Sequence, residues 1–365
     1  MSLACWELAN TCALFSLPLR IFIPSPSFWN AAAISSGVSC FLGGGGEDRK
    51  RRNICGAHAQ TYRMEIALAE LNEKIALLDG DKAEEELQWV INSTPLQREK
   101  FLQGHKLKSD RAFELMVKCS KWRHSYGADG LIQKYLEPTQ HVRFAKAYLP
   151  VGRIGEDYER RPVMLQRLAA VDFPRIISDL GLDKTVEYSI YIQEQLLEEC
   201  TRAGLPHPGE CIVVIDMGIE DMTNPPFATL LEVRAWIQGL LKFLQPFAAL
   251  VDPYYPEMFH KIFFTRTPPM FASVWALAKH FVADHTREKI EILNGSKITP
   301  KLLEIMPLEV IPSFLGGGNP LIGMGKGGRL PKQAVENVQF TETLEQALDH
   351  IPEVSVPVKK SGWFS

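Results

Sequence analysis

Several stretches of this chain place reactive residue types at suggestive spacings, and most fail a closer test. Gly323, Gly325, Gly327 and Gly328 surround Lys326 in the manner of a phosphate-binding loop. The run lacks the Walker spacing, has no Ser or Thr after the lysine, and neither follows a clear strand nor opens a helix. His280 and His285 lie near Asp284, but one carboxylate neighbour does not make a metal site, and the other histidines are scattered. Asp216 ends an apolar run, where open α/β sheets often hold catalytic groups. Capping the next turn is the simpler role, and no nucleophile and base assemble around it. HExxH, GxSxG and paired CxxC motifs are missing. The sequence therefore predicts neither an enzyme nor a metal site, and no cofactor.

The elements that would position a site begin at Met64. Ile66, Leu68, Leu71, Ile75 and Leu78 recur at helical spacing, with Gly80 as a stop. A second helix is predicted over Glu84 to Ile91 and a third over Ser109 to Tyr126. Ser109 would be its N-cap, Phe113, Met116, Val117 and Ser120 would share a face, and Gly127 would end it. Residues 64–144 thus read as a small helical unit.

From about Ala145 strands and helices alternate. Arg161 to Ala169 is strand-like, Lys184 to Arg202 helical, and Glu210 to Met217 a buried strand. A long amphipathic helix follows from Thr229 to Leu250, then a strand from Lys261 to Thr265. Met270 to Val282 is helical, Lys289 to Leu293 a further strand, and Leu302 to Ile305 a short helix that Pro307 ends. This order implies an α/β fold with a largely parallel sheet and helical crossovers over residues 145–318. Residues 319–365 are Gly-rich and then polar, which predicts a loosely ordered tail.

Residues 1–63 do not read as a domain. They hold the run Gly43 to Gly46, the basic cluster Arg49 to Arg52, and one acid, Glu7, before Glu47. A disordered tail, an organellar transit peptide for plastid or mitochondrion, and an over-extended gene model ahead of a start at Met64 all fit. The net charge of −3 excludes a broad nucleic-acid footprint. Four of the seven cysteines lie before residue 63, so no disulfide framework is expected and a reducing compartment is. No run reaches the roughly 18 apolar residues of a membrane span.

The informative block runs from Asp252 to Glu291. A turn with Tyr254, Tyr255 and Pro256 enters a buried strand that ends at Thr267-Pro268-Pro269. A helix with an aromatic face follows, then a charged loop and another strand. This block resembles the CRAL-TRIO lipid-binding domain, above all that of the yeast-type phosphatidylinositol/phosphatidylcholine transfer proteins. Lys121-Trp122-Arg123 with Tyr126-Gly127, Arg161-Pro162-Val163, and Ile311-Pro312 with Gly316-Gly317 extend the likeness in order over roughly residues 83–318.

The resemblance implies a sheet with flanking helices around an apolar cavity, preceded by a helical unit. It also implies a function: binding one phospholipid, such as phosphatidylinositol, and transferring it between membranes. A diacyl lipid has about 30 methylenes at about 0.8 kcal/mol each, so on the order of 20 kcal/mol opposes its exposure to water. A carrier needs a closed cavity and a gate. By resemblance the gate is the helix with Phe271, Val274, Trp275, Ala278 and Phe281, and Val213, Ile215, Phe263 and Ile292 are cavity residues on strands. Glu257, Thr286 and Lys289 match positions that hold an inositol phosphate headgroup. His105, with Lys106 after it, stands where the family has an arginine, and Met258 replaces a second one. Cys211 and Val213 replace the Ser and Thr used for a choline lipid, which removes those contacts. Another hydrophobe (a tocopherol, retinoid or sterol precursor) is the alternative cargo, and a small-molecule hydrolase is the reading from a different class. The expected setting is a monomer in the cytoplasm that visits membrane surfaces and presents lipid to lipid kinases.

Overall fold

The computed structural model describes residues 47–78, 84–136, 140–269, 271–321, 324 and 327–330. The chain divides into two units between Ile54 and Cys55. The tail and transit-peptide readings of residues 1–46, the stop at Gly80, and most of the tail after residue 330 lie outside the described residues.

The first helix, α1, spans Glu47–Ala76, so it begins well ahead of Met64. Ala67, Leu71 and Ile75, four residues apart, form its buried stripe, whereas Ile66 is exposed. Helix α2, Pro95–Gly104, starts with a capping box. Thr94 Oγ1 accepts from Gln97 N at 3.2 Å, and Gln97 Oε1 accepts from Thr94 N at 2.7 Å. Helix α3, Ser109–Tyr126, ends at left-handed Gly127 as its sequence indicates. Ser109 is not the N-cap. Lys108 is, and Ser109 donates to Glu70 Oε2 at 2.6 Å instead. The buried face is Ala112, Leu115, Met116 and Cys119, rotated from the one predicted, and it packs on Leu71, Ile75, Val90, Phe101 and Leu102. The predicted helix at 84–91 is a 3-10 turn followed by the short helix Gln88–Ile91. Ser120 fastens it to α3, accepting from Val90 N at 3.2 Å and donating to Glu86 O at 2.7 Å.

Two short helices, α4 (Leu131–Leu136) and α5 (Gln140–Tyr148), lead into a five-stranded sheet. The strands are β1 Val151–Glu156, β2 Pro162–Arg167, β3 Cys211–Asp216, β4 Phe259–Thr265 and β5 Ile290–Leu293, side by side in that order. β1 pairs antiparallel with β2, and the other pairs are parallel. β1 has no apolar run and pairs by its backbone, which is why its sequence carries no strand signal. Helices α6 (Phe173–Asp179) and α7 (Leu182–Thr201) connect β2 to β3, and α8 (Leu230–Tyr254) connects β3 to β4. Helix α9, Phe271–Ala278, precedes β5, and α10, Ile298–Leu303, follows it.

Alternation along the strands divides two layers. Val163, Leu165, Ile212, Val214 and Phe263 pack against Ile298, Leu302, Met306 and Ile311. The intervening residues Met164, Val213, Ile262 and Phe264 face α7, α8 and α9.

The segment after residue 319 is tied down where it is described, against expectation. Leu330 is buried and its N–H donates to Asp172 Oδ2 at 3.1 Å, while Arg329 pairs with Glu232 at 2.7 Å. That arginine, with the N–H groups of Ala228 and Thr229 just ahead of α8, holds the Glu232 carboxyl down at about 2. Gly327 and Gly328 have φ of 65° and 98°, and a Cβ on either would strike the Ala170 or Asn224 carbonyl. Their N–H groups donate to Ala147 O at 3.3 Å and Ala170 O at 2.6 Å. Glycine is required there for close backbone approach, and those N–H groups are committed within the protein.

Candidate functional site

An apolar cavity of about 230 Å³ lies between the sheet and its helices. Its floor is Met164, Gln166, Val213, Ile215, Ile262, Phe264 and Ile290. Helix α7 contributes Tyr188, Ser189, Ile192, Gln193 and Leu196, and α8 contributes Leu240, Phe243, Phe247, Val251 and Asp252. Two expected cavity residues are elsewhere. Phe263 lies one residue out of phase, so the pleat turns its ring into the opposite layer, fully buried. Ile292 sits on the short edge strand β5 and is 46% exposed, while Ile290 lines the cavity.

The remaining wall is α9 and the turn after it. The predicted helix 270–282 is α-helical only through Ala278, with a 3-10 turn over Lys279–Phe281. Met270 is outside the described residues. Phe271, Val274, Trp275, Ala278 and Phe281 all line the cavity. Phe271 and Trp275 are stacked and rest on Phe264 at 5.1 and 5.6 Å. The rings therefore seal the cavity from inside, with Leu277 on the outer face. Substituting Phe271, Trp275 and Phe281 together with serine is expected to lower lipid loading and vesicle-to-vesicle transfer by about tenfold or more, since the seal loses most of its apolar area. A wild-type transfer rate would show that the helix is an inert wall.

A set of polar residues lies around the segment between α9 and β5. Lys289 Nζ donates to Glu257 Oε2 at 2.6 Å, with side chains 24% and 18% exposed. Glu257 occupies the left-handed region at φ 56°, and Lys100 Nζ donates to its carbonyl at 3.2 Å. His285 Nε2 lies 3.8 Å from Glu257 Oε1. Thr286 lines the cavity, and its carbonyl accepts from Lys289 N at 3.1 Å. His105 follows Gly104, whose missing Cβ lets the end of α2 approach Pro256 and Glu257. Lys106 is exposed on the turn beyond. Met258 points into the core at 2% exposure. Thus Glu257 and Lys289 pair with each other and Thr286 lines the cavity, whereas Glu257, Lys289 and His105 are not among the cavity-lining residues and Lys106 is exposed. At the family's choline-lipid positions, Cys211 is a buried thiol whose pKa burial pushes up, and Val213 offers the cavity no hydrogen bond.

His105 Nε2 is buried with no hydrogen-bond partner. Burial, then Arg111 and His285, push its pKa below the ordinary 6.5, with Glu257 opposing. A base harder to protonate in the native state carries no penalty above about pH 6.5, and it destabilises the fold as pH falls below that value. The lipid-free protein is expected to lose thermal stability between about pH 7 and pH 5.5, and His105→Gln to flatten that dependence. An unchanged slope in the variant would place the titration elsewhere.

Asp216 is accounted for structurally. It is fully buried and accepts from Arg266 Nε at 2.8 Å and Nη2 at 2.6 Å, and from Thr265 Oγ1 at 3.2 Å. Sequence reasoning missed Gln193 and Asp252. Asp252 lines the cavity and accepts from Ala283 N at 3.1 Å, and burial raises its pKa despite that bond. Nothing in the sequence flagged them, because Gln193 reads as the solvent face of a predicted helix and Asp252 lies beyond the predicted helix end at Leu250, whereas the helix runs on to Tyr254. Among the described residues no helix is long and apolar enough to cross a membrane.

Residues 146–317 match the CRAL/TRIO domain. The chain is 26% identical over 225 residues to phosphatidylinositol/phosphatidylcholine transfer protein SFH7 of Arabidopsis thaliana, covering 60% of this chain and 38% of that protein. It is 26% identical over 223 residues to the Sec14 cytosolic factor of Schizosaccharomyces pombe, covering 60% of this chain and 72% of that one. The chain thus spans well under half of the Arabidopsis relative. Among solved structures it is similar to that titled Crystal structure of Sfh5, at a TM-score of 0.45 and 16% identity over 65% of this chain and 83% of that one. Residues 146–317 are thus similar to the CRAL/TRIO domain, and the proteins the chain resembles include ones named phosphatidylinositol/phosphatidylcholine transfer proteins.

Proposed function

We propose that this protein carries a phospholipid, phosphatidylinositol, between membrane surfaces, with the acyl chains in the cavity and the headgroup at Glu257, Thr286, Lys289 and His105. The observation that carries this reading is the placement of a lysine–carboxylate pair beside the aromatic gate of an apolar cavity. The apolar wall removes the chains from water, and the mouth offers a lysine and a threonine hydroxyl to a phosphate. Glu257 holds Lys289 in place and is free to accept from inositol hydroxyls. Transfer requires α9 to swing away at a membrane surface, where its aromatic residues would enter the interface. In this reading the protein is a carrier and not an enzyme, works from the cytoplasm as a monomer, and supplies lipid to lipid kinases. Mass spectrometry of lipid extracted with the purified full chain tests it. Phosphatidylinositol as the dominant species supports the reading, and a neutral hydrophobe in its place would refute the headgroup assignment.

A further inference from the structure

The gate closes the cavity at one edge of the sheet only. The strands lie in the order β1 to β5, and α9 falls between β4 and β5 in the chain. Toward the opposite edge the wall is Leu149 and Pro150, just before β1, and Leu168, Val171 and Phe173, just after β2. Residues 327–330 are bound to this end of the cavity. Gly327 N–H donates to Ala147 O at 3.3 Å and Gly328 N–H to Ala170 O at 2.6 Å, so the segment joins the two pieces of wall. Arg329 N donates to Asn224 O at 2.9 Å, Asn224 Nδ2 donates back to Arg329 O at 3.2 Å, and the Arg329 side chain reaches Glu232 at the start of α8. Leu330 N–H donates to Asp172 Oδ2 at 3.1 Å, between the wall residues Val171 and Phe173. The Leu330 side chain is 6% exposed and belongs to the same apolar cluster as Tyr148, Val171 and Phe173. A segment whose only task was to lead away from the domain would leave its N–H groups to water.

We propose that residues 327–330 form the closed end of the cavity and set the acyl chain length that it accepts, with Leu330 as the stop. Thr286 and Ile290 line the cavity beside β5, so a lipid whose polar end lies there runs its chains across the sheet toward β2. A chain that stops short of the far wall leaves apolar space unfilled, and a longer one must displace Leu330 and the bonds that hold it. Each methylene that finds room changes affinity about fourfold, so such a stop gives a sharp limit. The inference rests on the carrier reading of the cavity but not on the headgroup assigned to its cargo.

The test offers the full-length protein vesicles in which phosphatidylinositol and phosphatidylcholine each carry monounsaturated chains of about 14 to about 22 carbons, and captured lipid is identified by mass spectrometry. Wild type is expected to show a limit, with capture falling about tenfold over about two carbons. Leu330→Ala shortens the stop and is expected to raise capture of lipid just beyond that limit about tenfold. Gly328→Ala is the second variant. With φ of 98° and a Cβ 2.5 Å from Asn224 O, it displaces the segment and is expected to move the limit in the same direction. Wild type without a limit overturns the proposal, as does an unmoved limit in folded Leu330→Ala. If Leu330→Ala does not fold, Gly328→Ala decides on the same readout. Failure of both to fold shows the segment to be core packing and overturns the proposal. A limit that moves in captured phosphatidylcholine, with no phosphatidylinositol taken up, refutes the headgroup assignment and leaves this inference standing. Captured phosphatidylinositol with an unmoved limit does the reverse. Capture of neither lipid overturns both.

Discussion

Lys289→Ala is expected to weaken phosphatidylinositol binding roughly ten- to a hundred-fold, with little change for a neutral hydrophobe. A charge-assisted hydrogen bond to a phosphate contributes about 1.5 to 3 kcal/mol, which corresponds to that range. Lys289 is suited to it because the ammonium is held, at 2.6 Å, by one carboxylate oxygen of Glu257, it remains 24% exposed, and its chain neighbours Thr286 and Ile290 line the cavity. It is neither deep among the acyl chains nor free in solvent. Partial exposure also limits the structural cost of the substitution, since solvent screens much of the pair's attraction. Melting curves should therefore change little, which separates lost recognition from lost folding. Equilibrium binding to vesicles with and without phosphatidylinositol measures the effect. A folded Lys289→Ala protein with full phosphatidylinositol binding would remove the headgroup from this site and favour a neutral cargo.

The parts of this site that were legible in the sequence are those whose period is local. The strand Cys211–Asp216 is a run of apolar residues bounded by turn signals, and α8 shows one apolar stripe behind a Thr–Glu capping box. What was not legible depends on phase and on partners far along the chain. A strand covered on both faces is apolar at every position, so its sequence does not say whether Phe263 or Phe264 meets the cavity. The answer comes from its neighbours, because Val213 and Ile290 share the face of Ile262 and Phe264. Ile292 failed for a different reason, being on the correct face but beyond the covered part of an edge strand. Gly327 and Gly328 looked like a phosphate loop because close backbone approach and anion cradling both demand glycine. Gln193 gave no signal, since an isolated polar residue in a helix reads as its solvent face, and Asp252 gave none because it lies beyond the predicted helix end at Leu250.

Arg123→Met is expected to destabilise the protein by about 3 to 5 kcal/mol, the cost of leaving a buried charge without its partner. Arg123 lies on α3 and is 5% exposed. Its two terminal nitrogens donate to Glu194 on α7 at 2.9 and 2.8 Å, and its Nε donates to Asp129 at 2.7 Å. Glu194 also accepts from the Tyr255 hydroxyl, and the guanidinium lies 5.4 Å from the Trp89 ring. Beside it, Trp122 stacks on Tyr254 at 4.6 Å. The Lys-Trp-Arg motif of the helical unit therefore meets the Tyr-Tyr-Pro turn of the lipid-binding domain, and that turn sets the backbone of Glu257. With the arginine gone, Glu194, itself 7% exposed, keeps only the tyrosine as a donor. Urea unfolding of Arg123→Met, Glu194→Gln and the double variant separates the pair from the packing around it. The double variant should recover part of the loss, because no unpaired charge remains. Phosphatidylinositol binding by Arg123→Met should fall as well at temperatures where the protein is still folded, since the Tyr255–Glu257 turn loses its anchor. A loss of stability below about 1 kcal/mol would mean that the pair is hydrated like a surface ion pair, and the link between the helical unit and the Tyr255–Glu257 turn would then rest on the Trp122–Tyr254 stack and the Lys100–Glu257 hydrogen bond.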